Sequence, residues 1–124
     1  MESFYATLPL DFGHLGDLRR ALTAWLSDAG VPDARRAGAV LATHEAAANA
    51  IEHADSDGPI EVRAQLCDGT LTIEVSDSGR WKAPTHLPAD DERGMGLSVI
   101  EGLVSELEIR TDSHGTTLRM SQQA

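Results

Sequence analysis

The chain is short of cysteine, of basic residues and of long apolar runs, and each shortage removes a class of protein. A single cysteine, Cys67, in 124 residues leaves no partner for an intrachain disulfide, which suits a reducing compartment. Placed in a strand beside a turn, it reads as a small apolar residue and not as a nucleophile. With 10 Lys and Arg against 20 Asp and Glu, the formal net charge is -10. Binding a phosphate backbone needs clustered Lys and Arg, so the charge argues against a nucleic-acid surface and any polyanion held here must be small and enclosed. No apolar stretch approaches the roughly 20 residues that span a bilayer, and no basic segment followed by an apolar one opens the chain. The sequence therefore reads as soluble and cytoplasmic, with no membrane partner. Neither G-x-G-x-x-G nor G-x-x-x-x-G-K-[ST] occurs, which removes the standard dinucleotide and P-loop readings.

What is present is an ordinary globular composition, 41% hydrophobic, in a length that suits one domain over residues 1–124. Phe4, Ala6, Leu8 and Leu10 alternate with polar or small neighbours and predict a strand over Ser3 to Phe12. Leu15, Leu18, Leu22, Trp25 and Leu26 recur at helical spacing, closed by Gly30-Val31-Pro32. A second helix is expected from about Asp33 to Ala54, with Ala37, Val40, Leu41, Ala48 and Ile51 as its buried stripe. Ile60 to Leu66 and Leu71 to Val75 alternate around Asp68-Gly69, a strong two-residue hairpin signal. Ser78 to Arg93, with Pro84, Pro88 and Asp90-Asp91-Glu92, has no periodicity and reads as a loop suited to a lid. A short helix over Gly94 to Val104, a strand from Val104 to Thr111, a turn at Ser113-His114-Gly115 and a strand from Thr116 to Met120 complete the pattern. The expected class is α+β: a two-layer α/β sandwich with helices on one face of a mostly antiparallel, mixed sheet.

Three segments carry chemistry. In HEAAANA, the i, i+4 spacing puts the Glu45 carboxylate and the Asn49 carboxamide on one helix face, one turn apart. A carboxamide oxygen suits Mg²⁺, which keeps most of its waters and takes one or two protein oxygens, and the neighbouring carboxylate could orient or deprotonate a hydroxyl. In VSDSGRW, Asp77 ends an alternating run where it can accept from an exocyclic amine, and Gly79 permits close backbone approach. In ERGMGL, Gly94 and Gly96 open a helix whose free N–H groups attract phosphate, with Arg93 beside them to reach a terminal phosphoryl group. Each signal alone has a commonplace explanation, as a solvated helix face, a turn and a helix-leading loop; their order across a small α/β pattern describes an ATP site. His44 falls inside the helix stripe, as a structural histidine or a site residue; His53 sits one turn after Asn49, near phosphates or as a helix-end cap.

With these motifs, the chain resembles the GHKL (histidine-kinase-like) ATPase superfamily and, within it, the anti-sigma-factor serine/threonine kinases of the RsbW type, over nearly its whole length. The resemblance implies that Glu45 acts as the base, Asn49 holds Mg²⁺, Asp77 recognises the adenine amino group, and Arg93, Gly94 and Gly96 contact phosphates, with the Thr116 hydroxyl near adenine. It implies ATP and Mg²⁺ as cofactors, a sigma factor and an anti-anti-sigma phosphoacceptor as partners, and pairing as a homodimer. Two departures stand out. Trp81 occupies the second glycine of the family's D-x-G-x-G, where it could stack on the nucleotide or fill the base of the lid, and the loop from Asp77 to Gly94 is short. Two other functions compete: a module that grips its partner without transferring phosphate, and the ATP-binding domain of a histidine kinase. For the latter, His14 in GHLGDLRRAL is a superficial match to a phosphoacceptor helix, with no paired dimerisation helices before the ATP site.

Overall fold

A computed structural model describes residues 2–53, 58–78, 100, 102–112 and 115–124. Strand β1 (Glu2–Leu8) leads into helices α1 (Leu15–Asp28) and α2 (Asp33–His53), then strands β2 (Ile60–Cys67), β3 (Thr70–Asp77), β4 (Glu106–Asp112) and β5 (Gly115–Gln123). The strands form one sheet in the order β1-β2-β3-β5-β4. Every described pairing is antiparallel, so the parallel component expected of a mixed sheet is not among them. Among the described residues no helix is long and apolar enough to cross a membrane.

Local chemistry sets the element ends. The first strand stops at Leu8 and does not run to Phe12, because Pro9 has no N–H to donate to a ladder and the Asp11 N–H turns back onto the Pro9 carbonyl at 2.8 Å. Asp11 then caps a single 3-10 turn, its carboxylate accepting from the Gly13 N–H at 2.8 Å. Helix α1 closes in a Schellman motif. Gly30 takes φ +84, the Val31 N–H reaches the Leu26 carbonyl at 3.0 Å, and the Gly30 N–H reaches that of Ser27 at 3.1 Å. At the β2–β3 turn both Asp68 and Gly69 have positive φ, 52 and 78, the type I′ geometry that matches strand twist.

Alternation gives the sheet one buried and one open face. Leu8, Ile60, Val62, Ile73, Val75, Leu118 and Met120 are buried with Leu18, Leu22 and Leu26 of α1, and Phe4 meets Trp25 with ring centroids 5.7 Å apart. Of the expected α2 stripe, Val40, Ala48 and Ile51 are partly buried against the core, but the centre of the buried face is rotated from it. The buried face is Ala39, Ala42, Thr43, Ala46, Ala47, Asn49 and Ala50, whereas Ala37 is exposed and Leu41 is 44% exposed. The large apolar side chains misplace the stripe because alanine carries little hydrophobic weight, yet only side chains that small let the helix lie close to the sheet. Ile100, Gly102 and Leu103 are helical and Ile100 is buried; residues 79–99, most of the expected lid and the start of that helix, lie outside the described residues.

Rotation of α2 makes opposite predictions at adjacent turns. Ala46→Leu should cost about 1–3 kcal/mol by overpacking, and Leu41→Ser should stay within about 0.5 kcal/mol, as exposed substitutions do; denaturant unfolding of both variants measures this.

Candidate functional site

Two supports meet at one end of the sheet. Helix α2 ends six residues before β2 begins, and the start of β2 pairs with the end of β3, Glu61 opposite Ser76. The end of α2 is thus joined by a short connection to the sheet end where Asp77 sits. On α2 successive residues are about 100° apart, so Asn49 falls on the buried face with Ala42 and Ala46, and Glu45 falls at the margin of that face, half-buried. His44 lies at the opposite margin, toward α1.

Asn49 is 6% exposed, and its Nδ2 is buried without a hydrogen-bond partner. Leaving such a donor unpaired costs about 1–3 kcal/mol, and in a native structure an orphaned polar group marks a strained or ligand-binding position. A half-turn about the last side-chain bond exchanges nitrogen for oxygen, so the same place can offer a donor to phosphate or an acceptor to a cation. Among the described residues no three His, Cys, Asp or Glu side chains gather where they could hold a metal. The donor set thus suits a cation that arrives with its own oxygens and takes one or two from the protein, as Mg²⁺ on a polyphosphate does.

The second support is the β3–β5 pair. Asp77 continues the buried positions Leu71, Ile73 and Val75 of β3, and the residue is 7% exposed. Its register partner is Thr116, 1% exposed, whose hydroxyl lies 3.3 Å from that of Thr111 on β4. A carboxylate and a hydroxyl on neighbouring strands are suited to reading the edge of a base. Gly115 makes this juxtaposition feasible. It has φ +138, and a Cβ there would sit 1.9 Å from the Asp77 carbonyl oxygen and 2.8 Å from Ser78 Cα. Sequence reasoning placed Gly115 in a turn and matched Gly115-Thr116 to the family's G-T for the threonine hydroxyl, without reading the close backbone approach that requires the glycine.

His44 is tied to α1, its Nδ1 3.0 Å from an Arg19 guanidinium nitrogen. Burial lowers its pKa below the ordinary value and the Arg19 charge adds to this, against an opposing pull from Glu45. A guanidinium only donates, so Nδ1 carries the lone pair and the Nε2 the proton. The residue thus joins the helices rather than entering the site. His14 ends the 3-10 turn with its ring 4.0 Å from the Asp11 carboxylate, far along the chain from α2's site. A cavity of about 250 Å³ opens at the same end of the sheet, lined by Asp77, Ser78 and Gly115 together with Pro59, Glu61, Ser76 and Thr117. Gly79, Trp81, Arg93, Gly94 and Gly96 and the side chain of His53 lie outside the described residues.

Comparison with known proteins agrees with this fold. Residues 8–122 match the histidine kinase-like ATPase domain family. The chain is 30% identical to the anti-sigma F factor of Clostridium botulinum strain Eklund 17B, the match covering 66% of each chain. It is 38% identical to that of Caldanaerobacter subterraneus subsp. tengcongensis, covering 65% of each. These matches span slightly less than two thirds of the relatives' own length. The crystal structure of the RsbU and RsbW domains of Rv1364c from Mycobacterium tuberculosis superposes with a TM-score of 0.80 at 29% identity, over 99% of this chain and 32% of that one. The blue-light activated histidine kinase EL346 of Erythrobacter litoralis shares the fold, with a TM-score of 0.62 at 22% identity over 93% of this chain and 42% of that one.

Gly115→Ala should destabilise the fold by roughly 1–3 kcal/mol and weaken ATP binding together with it, because β5 can no longer close on Asp77; thermal unfolding and nucleotide titration measure the two effects. Lowered in the folded state, the His44 pKa means that the unfolded chain binds more protons just below pH 6.5, so stability should fall on acidification through that value and be level above it. A His44→Gln variant should show a flatter melting-temperature profile between about pH 8 and pH 5.

Proposed function

The chain belongs to the histidine kinase-like ATPase domain family, and on that footing we propose that it is an anti-sigma factor with ATP-dependent serine/threonine protein kinase activity. It would phosphorylate a serine of an anti-anti-sigma partner and sequester a sigma factor. The observation that carries the catalytic part is the pairing of a half-buried carboxylate, Glu45, with a buried, orphaned carboxamide, Asn49, one turn away on α2. The anti-sigma F factors among its relatives and the RsbW domain it superposes on supply the partner class.

In this mechanism the protein positions and stabilises more than it reacts. Asp77 accepts a hydrogen bond from the adenine amino group, with the Thr116 hydroxyl beside it. The Asn49 carboxamide oxygen would hold Mg²⁺, which would supply neutralisation of phosphate charge when bound. Glu45 accepts the proton of the incoming serine hydroxyl as the new oxygen–phosphorus bond forms and the bond to the ADP oxygen breaks. Arg93, with the N–H groups at Gly94 and Gly96, is assigned the charge on the transferring phosphoryl group, and Gly79 is assigned a role beside the base. A module that binds its partner without chemistry would need none of the alignment between Glu45 and Asn49.

Incubation of the native chain and a cognate anti-anti-sigma protein with labelled ATP should transfer label to a serine of the partner. Glu45→Gln should lower the transfer rate by about 10²- to 10⁴-fold while ATP binding is kept; transfer that is indifferent to Glu45, or absent with a cognate partner, would support the binding module.

A further inference from the structure

We propose that Thr111 is a positioning residue for the nucleotide site. Its hydroxyl donates to that of Thr116, so that Thr116 presents a proton, and not a lone pair, to the base. The inference rests on the reading of Asp77 and Thr116 as the groups that recognise adenine, and adds to it the residue that fixes which purine edge they accept.

The strand registers bring Thr111 to this place. On the face that carries the core, β3, β5 and β4 hold three aligned rows. One is Ile73, Met120 and Leu107, the next is Val75, Leu118 and Ile109, and the last is Asp77, Thr116 and Thr111. The first two rows are apolar throughout, their members buried or packed against the core. In the third, all three strands turn polar at the same step. Valine at position 111 would continue the apolar alternation of Leu107 and Ile109 and suit a strand equally well, whereas a half-buried hydroxyl costs free energy unless it is bonded. The Thr111 hydroxyl lies 3.3 Å from that of Thr116, across the strand pair.

Either oxygen of a hydroxyl pair can donate, and the surroundings decide which does. Asp77 is the register partner of Thr116 on the side away from Thr111, and a carboxylate only accepts. Its field turns the positive ends of neighbouring hydroxyl dipoles toward β3. The Thr116 proton therefore points to the Asp77 side, and its oxygen is left to accept from Thr111 on β4. The row becomes a one-way chain, from Thr111 to Thr116 to a ligand beside Asp77. Adenine fits such a chain, because its amino group donates to the carboxylate while the adjacent ring nitrogen accepts the Thr116 proton. Guanine and hypoxanthine present a carbonyl and an N–H at those two places, so acceptor would meet acceptor and donor would meet donor. At 3.3 Å the hydroxyl pair is long. Giving its proton to a ligand makes the Thr116 oxygen a better acceptor in turn, so the contact should tighten when nucleotide binds.

The test is calorimetric titration of the full chain with ATP and with 1-deaza-ATP, which carries a C–H in place of that ring nitrogen. The native protein is compared with Thr111→Val, Thr111→Ser and Asp77→Asn. Thr111→Val should weaken ATP binding by about three- to tenfold, the worth of one hydrogen bond. It should leave 1-deaza-ATP at the affinity the native chain has for it, because that ligand offers no acceptor for the Thr116 proton. Thr111→Ser keeps the hydroxyl and should bind both nucleotides as the native chain does. A threonine that merely supported the end of the sheet would, on removal, weaken both alike. Should Thr111→Val fail to fold, Thr111→Ala gives the same comparison. Equal losses for the two nucleotides, an ATP affinity unchanged in Thr111→Val, or a serine variant as weak as the valine one would overturn the proposal. ATP binding that is weakened by Asp77→Asn but untouched by Thr111→Val strikes this inference alone. A folded native chain that binds neither nucleotide strikes the reading of the site and this inference with it.

Discussion

How closely α2 can approach the sheet governs the rest of the molecule, and alanine sets that distance. With Ala39, Ala42, Ala46, Ala47 and Ala50 buried on one side, the helix axis can come near the strands without displacing the leucines that α1 contributes beside it. The same rotation carries Asn49 into the buried face and leaves Glu45 at its rim. A leucine in that row would lift the helix and carry both polar groups away from the sheet.

The site is built where burial and polarity conflict. Asp77 and Thr116 occupy positions that alternation assigns to the core, and Asn49 occupies the last turns of an otherwise apolar helix face. Burying such groups costs free energy that apolar residues there would not. Their concentration at one end of the sheet, with Gly115 folded against the Asp77 backbone, fits a surface held ready for a polar ligand. Among the described residues the remainder of the core carries few such groups. Thr43 is one, and its hydroxyl is satisfied by the Ala39 carbonyl at 2.8 Å.

Much of this was legible in the sequence, for identifiable reasons. Period-two alternation is strong in β2 and β3, and Asp68-Gly69 allowed little but a tight turn. The leucines of α1 carried a clear helical period, and Glu45, Asn49 and Asp77 stood out through spacing and order. What sequence could not give came from two sources. Alanine is nearly neutral in hydrophobicity, so α2's orientation depended on how closely the layers pack, which no local pattern encodes. The need for glycine at position 115 arises from a contact with Ser78 and Asp77, nearly forty residues away. Proline and a capping aspartate were enough to end β1 at Leu8, yet Leu10 extended the apparent alternation beyond them. His44 looked like a core residue on the helix wheel, and only the placement of Arg19 on the neighbouring helix showed what it binds.

The central claim is that Asp77 at the sheet end and Asn49 on α2 together hold ATP. Calorimetric titration of the native chain with ATP, with and without Mg²⁺ and alongside Asp77→Asn, tests it most directly. The account predicts one site that tightens with Mg²⁺ and is weakened by at least about tenfold, or 1.4 kcal/mol, in the variant. Binding that ignores both the cation and the substitution, or a folded native chain that binds no ATP, would contradict it.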